Sequence, residues 1–415
     1  MTETGSAPPS LPAAPPPSQP PSQPSAQPAA QPAAQTAALP LAGIRVVELG
    51  GSVAVPYACW VLSSLGAEVV KVERPDSGDD ARAWSPPEKD GFGAIFTALN
   101  AGKRSVTVDY KNPDDLARLT TLIGRSDVVV QNLRPGLAET FGIGADAMCA
   151  RFERLIYVES GAFGRQGPLK DKPGYDPLMQ AFGGLMSVTG HEGNDPVRVG
   201  TSLIDMGTGM WAVIGAMGAL MRRAETGRGG RVDVSLYETA IGWMTYHATG
   251  YQFSGRVPKR PGTRSPGMAV YQAYACADGH LIIAAPSDRL FGRVAKALER
   301  PEWTVDPRFR TNALRWEHLE ALNQLIEAVT LTRDRAQWQA ALETVGVPSA
   351  PLQDVGEMLG HPQTKALGII ETTPDGWELV GLPLSFDRAR PQQKSGPPPL
   401  GADTEAVFTQ EDCDQ

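Results

Sequence analysis

Between residues 44 and 160 short β-branched runs alternate with stretches long enough for a helix, and this alternation constrains the fold more than anything else in the chain. IRVVEL (44–49) is followed by the turn and helical stretch GGSVAVPYACWVLSSLG, which ends at Gly66, and then by AEVVKVE, so the first thirty or so residues of the region spell a βαβ unit. RSVTVDY (104–110), DVVVQNL (127–133) and RLIYVES (154–160) repeat the pattern with helical stretches between them. The expected fold class is therefore α/β: a Rossmann-like, doubly wound, mainly parallel sheet whose ligands sit beyond the C-terminal strand ends.

Those strand ends carry Gly50 and Gly51, Arg74, Lys111, and Asn132 with Arg134. A cation at a strand end usually solvates a surface, but three of them expected along one edge of a chain with formal charge -8 favour a phosphate-bearing ligand. GGSVAVP replaces GxGxxG after the first strand, and Pro56 stands where the helix would start, so a dinucleotide dehydrogenase is disfavoured.

A second constraint lies at 200–209, GTSLIDMGTG, where Asp205 stands among small residues before the apolar run MGTGMWAVIGAMGALMRRAETG. Arg222, Arg223 and Gly227 close that run as a helix C-terminus. Two readings of Asp205 stay open. It is an N-cap, or it is a carboxylate nucleophile with Gly200, Gly207 and Gly209 leaving room for a ligand or another backbone. Upstream, the glycine-rich segment 161–193 carries Tyr175 and Asp176 just before a helical stretch, as an active-site wall or as a connecting loop with Asp176 capping its helix.

Beyond the long helix, 255–267 reads as irregular, VYQAYACADGHLIIAAPS as a hairpin turning at 277–279, and 290–298, 319–329 and RAQWQAALETVG as helices. ELVGLPLSF (378–386) reads as a strand. The expected division is a Pro/Ala/Gln-rich disordered tail over 1–40, a large domain over 41–225, a linker and smaller α+β domain over 226–350, and a return segment with a C-terminal tail over 351–415.

Four scattered cysteines show no metal spacing and five histidines form no paired motif, so no metal site and a reducing, cytoplasmic setting are expected. The acidic balance and the lack of a basic run argue against nucleic acid. The lack of a charge-free apolar run of about 18 residues argues against a membrane span.

Taken together, PLAGIRVVELG, LGAEVVKVERP with SGDD at 77–80, NAGKRSVTVDYKNP, NLRPG at 132–136, GPLKDKPGYDPLMQAFGGLMSVTG and GTSLIDMGTGMWAVIGAMGAL resemble the family III CoA-transferases, the CaiB/BaiF family, from about Pro40 to about Leu400. The resemblance implies that Asp205 is the nucleophile and that Tyr175 and Asp176 stand beside it. It implies that Arg74 and Lys111 meet the CoA nucleotide, with Asn132 and Arg134 close to the same pocket. CoA then enters as a thioester substrate, with no permanently bound cofactor, and a small free carboxylic acid is the second substrate. Succinyl-CoA is the expected donor, given the cations near the site and the succinyl groups that relatives use. The resemblance further implies an interlocked homodimer.

Such a transfer needs a carboxylate nucleophile, because only a carboxylate passes through an anhydride to an enzyme-bound thioester. Glycines at a helix N-terminus would leave backbone N–H groups open to the developing charge. The alternatives are an α-methylacyl-CoA racemase of the same fold and a non-catalytic CoA-ester binding protein. Racemases resemble one another in carrying histidine where this chain has Tyr175, and a phenol is a poor base for an α-carbon at neutral pH. A pure binder has no use for an unpaired Asp205.

Overall fold

The computed structural model describes residues 39–413, so the expected disordered tail lies almost wholly outside the described residues. The central sheet consists of β1 (Arg45–Leu49), β2 (Glu68–Glu73), β3 (Arg104–Thr107), β4 (Val128–Gln131), β5 (Ile156–Gly161) and β6 (Gly230–Ser235). All are parallel, in the spatial order β3-β2-β1-β4-β5-β6. This is the strand order of a Rossmann fold, with its reversal between β1 and β4. The first five strands stand where the alternation places them. The sixth, GRVDVS, is apolar only at alternate positions and is invisible without its neighbour β5.

Strands buried on both faces need apolar side chains in both directions. Val46, Val69, Val128 and Ile156 point to a layer containing α1 (Ala54–Ser64) and a long helix. Val47, Val70, Val106 and Val129 point the other way, to a layer containing α2 (Pro113–Gly124). The long helix, α4 (Leu203–Thr226), follows the short α3 (Asp176–Phe182) and ends on left-handed Gly227, whose N–H returns to the Arg223 carbonyl at 2.9 Å. Arg223 is itself fixed by Asp127 at 2.8 Å.

By length and composition α4 could cross a membrane. In this fold it packs on α1 instead. A Cβ on Gly209 would stand 2.7 Å from the Ala54 carbonyl oxygen and 3.2 Å from the Ala58 nitrogen, so only glycine lets the two backbones approach this closely.

After α5 (Leu236–Trp243) and α6 (Thr245–Ser254) comes a second core of its own. There β7 (Tyr271–Cys276) and β8 (Gly279–Ala284) form the expected hairpin, and β9 (Ser349–Pro351) adds a third antiparallel strand. Helices over Asp288–Ala297, Leu319–Thr330 and Arg335–Thr344 cover it. The expected strand over 378–386 shrinks to Glu378–Val380, paired with Ile370–Thr372, because Pro383 removes a backbone donor. The chain then returns to the large sheet, where the Asp403 carboxylate accepts the Ser105 N–H at 2.9 Å.

Candidate active site

Asp205 is the third residue of α4, and it does not cap the helix. That task falls to Asp176 at the start of α3: its Oδ2 accepts the N–H of Ile204 at 2.7 Å and of Asp205 at 3.3 Å. Its Oδ1 accepts from the Gln180 amide at 2.6 Å. Gln180, fully buried, also accepts the Val199 N–H at 2.8 Å and so fixes the segment leading into α4. Asp176 therefore caps a helix 27 residues further on instead of its own, with both carboxylate oxygens engaged. The sequence reading groups it with the catalytic residues; in the structure it holds the helix that carries Asp205.

Relieved of capping, Asp205 has a carboxylate for which no side-chain partner is found among the described residues. Its pKa is pushed up to about 7, first by burial and then by the Asp176 charge beside it. At neutral pH such a group is divided between its two forms, and its ionised form is poorly solvated. The poorly solvated ionised form is the one that can attack a carbonyl carbon, and it is unlike the well-solvated carboxylate of a surface cap.

The three glycines differ. Gly207 does not open space for a ligand, because a Cβ there would lie 2.9 Å from the Trp243 indole and 3.0 Å from the Thr239 methyl. Gly209 faces α1. An oxyanion role for helix N–H groups at α4 also loses its donors, since Asp176 takes those of Ile204 and Asp205. Gly200 alone lies in open space. Tyr175 stands immediately before α3, 60% exposed, and makes no capping bond.

The expected ligand-binding cations do share the C-terminal edge of the sheet, but in different states. Arg74 turns back onto its own loop, donating to the Gly78 carbonyl at 3.0 Å and pairing with Asp80. Lys111 and Arg134 are exposed, with no side-chain ion pair among the described residues. Asn132 is not free to meet a ligand. Its amide accepts the Gly51 N–H and donates to the Gly51 carbonyl, both at 3.0 Å, and thus ties β4 to β1 at the strand-order reversal.

Sequence reasoning missed a buried charge cluster just below this edge. Glu48 and Lys71 face each other across β1 and β2. The Glu48 carboxylate receives Lys71 and Lys103, each at 2.7 Å, and Asp79 receives Lys71 at 2.8 Å. Burial opposes the charge on Lys71, but Glu48, Asp79 and Glu73 outweigh it and raise its pKa. At Lys103 burial lowers the pKa first, and with the nearby Lys71 charge it outweighs the opposing pull of Glu48. The available signal was a charged residue inside each of two strands that read as buried on both faces, which requires a partner.

Comparison with known proteins identifies relatives over nearly the whole described chain. The sequence profile of CoA-transferase family III matches residues 41–404. The succinate–glutarate CoA-transferase of Agrobacterium fabrum is 34% identical over 372 residues, covering 85% of this chain and 92% of that protein. The succinyl-CoA:glutarate CoA-transferase of Mus musculus is 32% identical, covering 89% and 86%. Among solved structures, a CaiB/BaiF family protein from Brucella suis superposes with a TM-score of 0.85 at 34% identity, covering 90% of this chain and all of that one.

Proposed function

The chain belongs to CoA-transferase family III and is an enzyme of that class, and on that premise we propose that Asp205 is the nucleophile that carries CoA between two acids. A carboxylate oxygen of Asp205 attacks the acyl-CoA carbonyl, the C–S bond breaks, and CoA leaves as thiolate from a mixed aspartyl anhydride. The thiolate attacks the aspartyl carbonyl, releasing the donor acid as carboxylate and leaving an aspartyl-CoA thioester. The acceptor carboxylate then attacks that thioester to give a second anhydride, and the thiolate returns to the new acyl group, which regenerates Asp205. No water enters and no proton is gained or lost overall.

One observation carries this reading: Asp205 sits at a helix start whose capping is done by Asp176, so its own half-buried carboxylate is left without a side-chain partner among the described residues and is poorly solvated when ionised. Lys111 and Arg134 are the free cations for the CoA phosphates, joined by Arg74 once it exchanges Asp80 for a phosphate. A succinyl donor and a dicarboxylic acceptor are supported by relatives named for succinyl-CoA and glutarate.

The proposal extends to a homodimer. Large apolar side chains on α4 and α6 stand exposed, among them Met221 at 72%, Tyr246 at 73% and Phe253 at 86%, a surface suited to covering by a second chain. Free thiols at Cys59, Cys149 and Cys276 suit a reducing cytoplasm.

The test is to incubate the protein with an acyl-CoA panel, trap with hydroxylamine or borohydride, and map the product by mass spectrometry. Modification at Asp205 is expected, with CoA appearing on the added acid. Rapid α-deuterium exchange of the acyl group in heavy water, without transfer, would instead identify a racemase.

A further inference from the structure

The loop joining β1 to α1 is gripped by side chains that the transfer chemistry does not use. Lys71 Nζ donates to the Gly50 carbonyl at 3.1 Å, and Asp79 Oδ1 accepts the Ser52 N–H at 2.9 Å. Lys103 Nζ donates to the Pro56 carbonyl at 2.9 Å, while Asn132 holds both backbone groups of Gly51. Glu48 stands behind the two lysines with its side chain fully buried, as theirs are. Charges buried this deeply are often replaceable by apolar side chains without loss of stability, so their presence raises the question of what geometry they specify.

The geometry is that of Ser52, whose φ is +67°. A serine leaves the left-handed region unless its surroundings hold it there. Two residues later α1 begins at Ala54, with no side-chain cap on its first turn. The Ala54 carbonyl is the group that meets Gly209, which lies one helical turn beyond Asp205 on the same face of α4. Ser52 thus lies two residues before the turn of α1 that meets the Asp205 face of α4.

We propose that Asp79, Lys71 and Lys103 are positioning residues: Asp79, itself fixed by Lys71, holds Ser52 left-handed, Lys103 holds the Pro56 carbonyl, and together they fix the first turn of α1 against the Asp205 face of α4. The proposal rests on Asp205 being the nucleophile. Removing the grip lets Ser52 relax, which shifts α1 and misplaces a bound thioester, so turnover suffers while the nucleotide contacts at the outer sheet edge persist.

The experiment uses the full chain and the acyl-CoA and acid pair that the wild type turns over fastest. Asp79→Ala is expected to lower kcat at least tenfold with the KM for acyl-CoA within threefold. Adding Ser52→Gly to that variant is expected to recover at least threefold, because glycine takes the left-handed φ unaided. A kcat within twofold of wild type in Asp79→Ala overturns the proposal, and so does a loss that Ser52→Gly does not relieve, since a purely structural cluster gains nothing from that glycine. Should Asp79→Ala not fold, Ser52→Val tests the same point with the charges intact: a tenfold loss of kcat supports the proposal and an unchanged kcat overturns it. Asp205→Asn is assayed alongside. If it stays active, the nucleophile reading falls and takes this proposal with it; if it is dead while Asp79→Ala is active, the grip alone is refuted.

Discussion

Replacing Asp205 by asparagine should make the protein more stable and inactive at once. The carboxylate has a pKa of about 7 in the folded chain against 3.8 as a reference. Below pH 4 both states are protonated and the group is neutral to stability. Between 4 and 7 the unfolded chain releases the proton while the folded chain keeps it, so stability falls as pH rises. Above 7 the penalty is complete. At about 1.36 kcal/mol per pH unit the ceiling is roughly 4 kcal/mol, and relaxation around a partly buried group reduces this to about 1–3 kcal/mol. For a chain of this length that corresponds to a rise in Tm of about 1–4 °C at pH 8. Asparagine removes the ionisation while nearly keeping the volume. Denaturant titrations of wild type and Asp205→Asn at pH 5 and pH 8, with transfer assays on both, measure the effect. The stability gain should be largest at pH 8 and shrink toward pH 5, and transfer should vanish. An N-cap would behave differently, with a loss of about 1 kcal/mol or less and surviving activity. An asparagine variant that is less stable than wild type at pH 8, or one that still transfers CoA, refutes the reasoning.

Other perturbations read other parts of the site. The wild-type kcat/KM should rise with pH through about 7 as Asp205 ionises, and Asp176→Asn should move that limb to lower pH by removing a neighbouring negative charge; a limb that stays in place would exclude coupling between the two. Gly209→Val should destabilise by about 1–3 kcal/mol or more, because its Cβ meets the backbone of α1, and thermal unfolding reports this directly. Glu48→Gln should cost about 3–5 kcal/mol, leaving Lys71 and Lys103 around an uncharged amide, as a lowered urea midpoint at unchanged slope would show.

The sequence by itself determines the order of the elements and the family to which the chain belongs. Short β-branched runs separated by helix-length stretches admit little besides a parallel sheet with crossover helices, and the stretch around Asp205 singles out that carboxylate while leaving open whether it caps its helix or faces a ligand. Tertiary structure decides everything that depends on which surfaces meet. Asp176 looks like the cap of its own helix and becomes the cap of α4, because only packing brings α3 to the Ile204 N–H. Gly207 and Gly209 look like room for a ligand or another backbone, and only packing decides between them: Trp243 fills the space at Gly207 and the backbone of α1 that at Gly209. Asn132 looks like a ligand contact, yet Gly51 claims both ends of its amide. Glu48 and Lys71 are inconspicuous until strand pairing sets them face to face and burial makes their charges depend on each other. A local pattern records what a residue can do, whereas its partner and its solvation, which decide what it does, are properties of contacts between segments far apart in the chain.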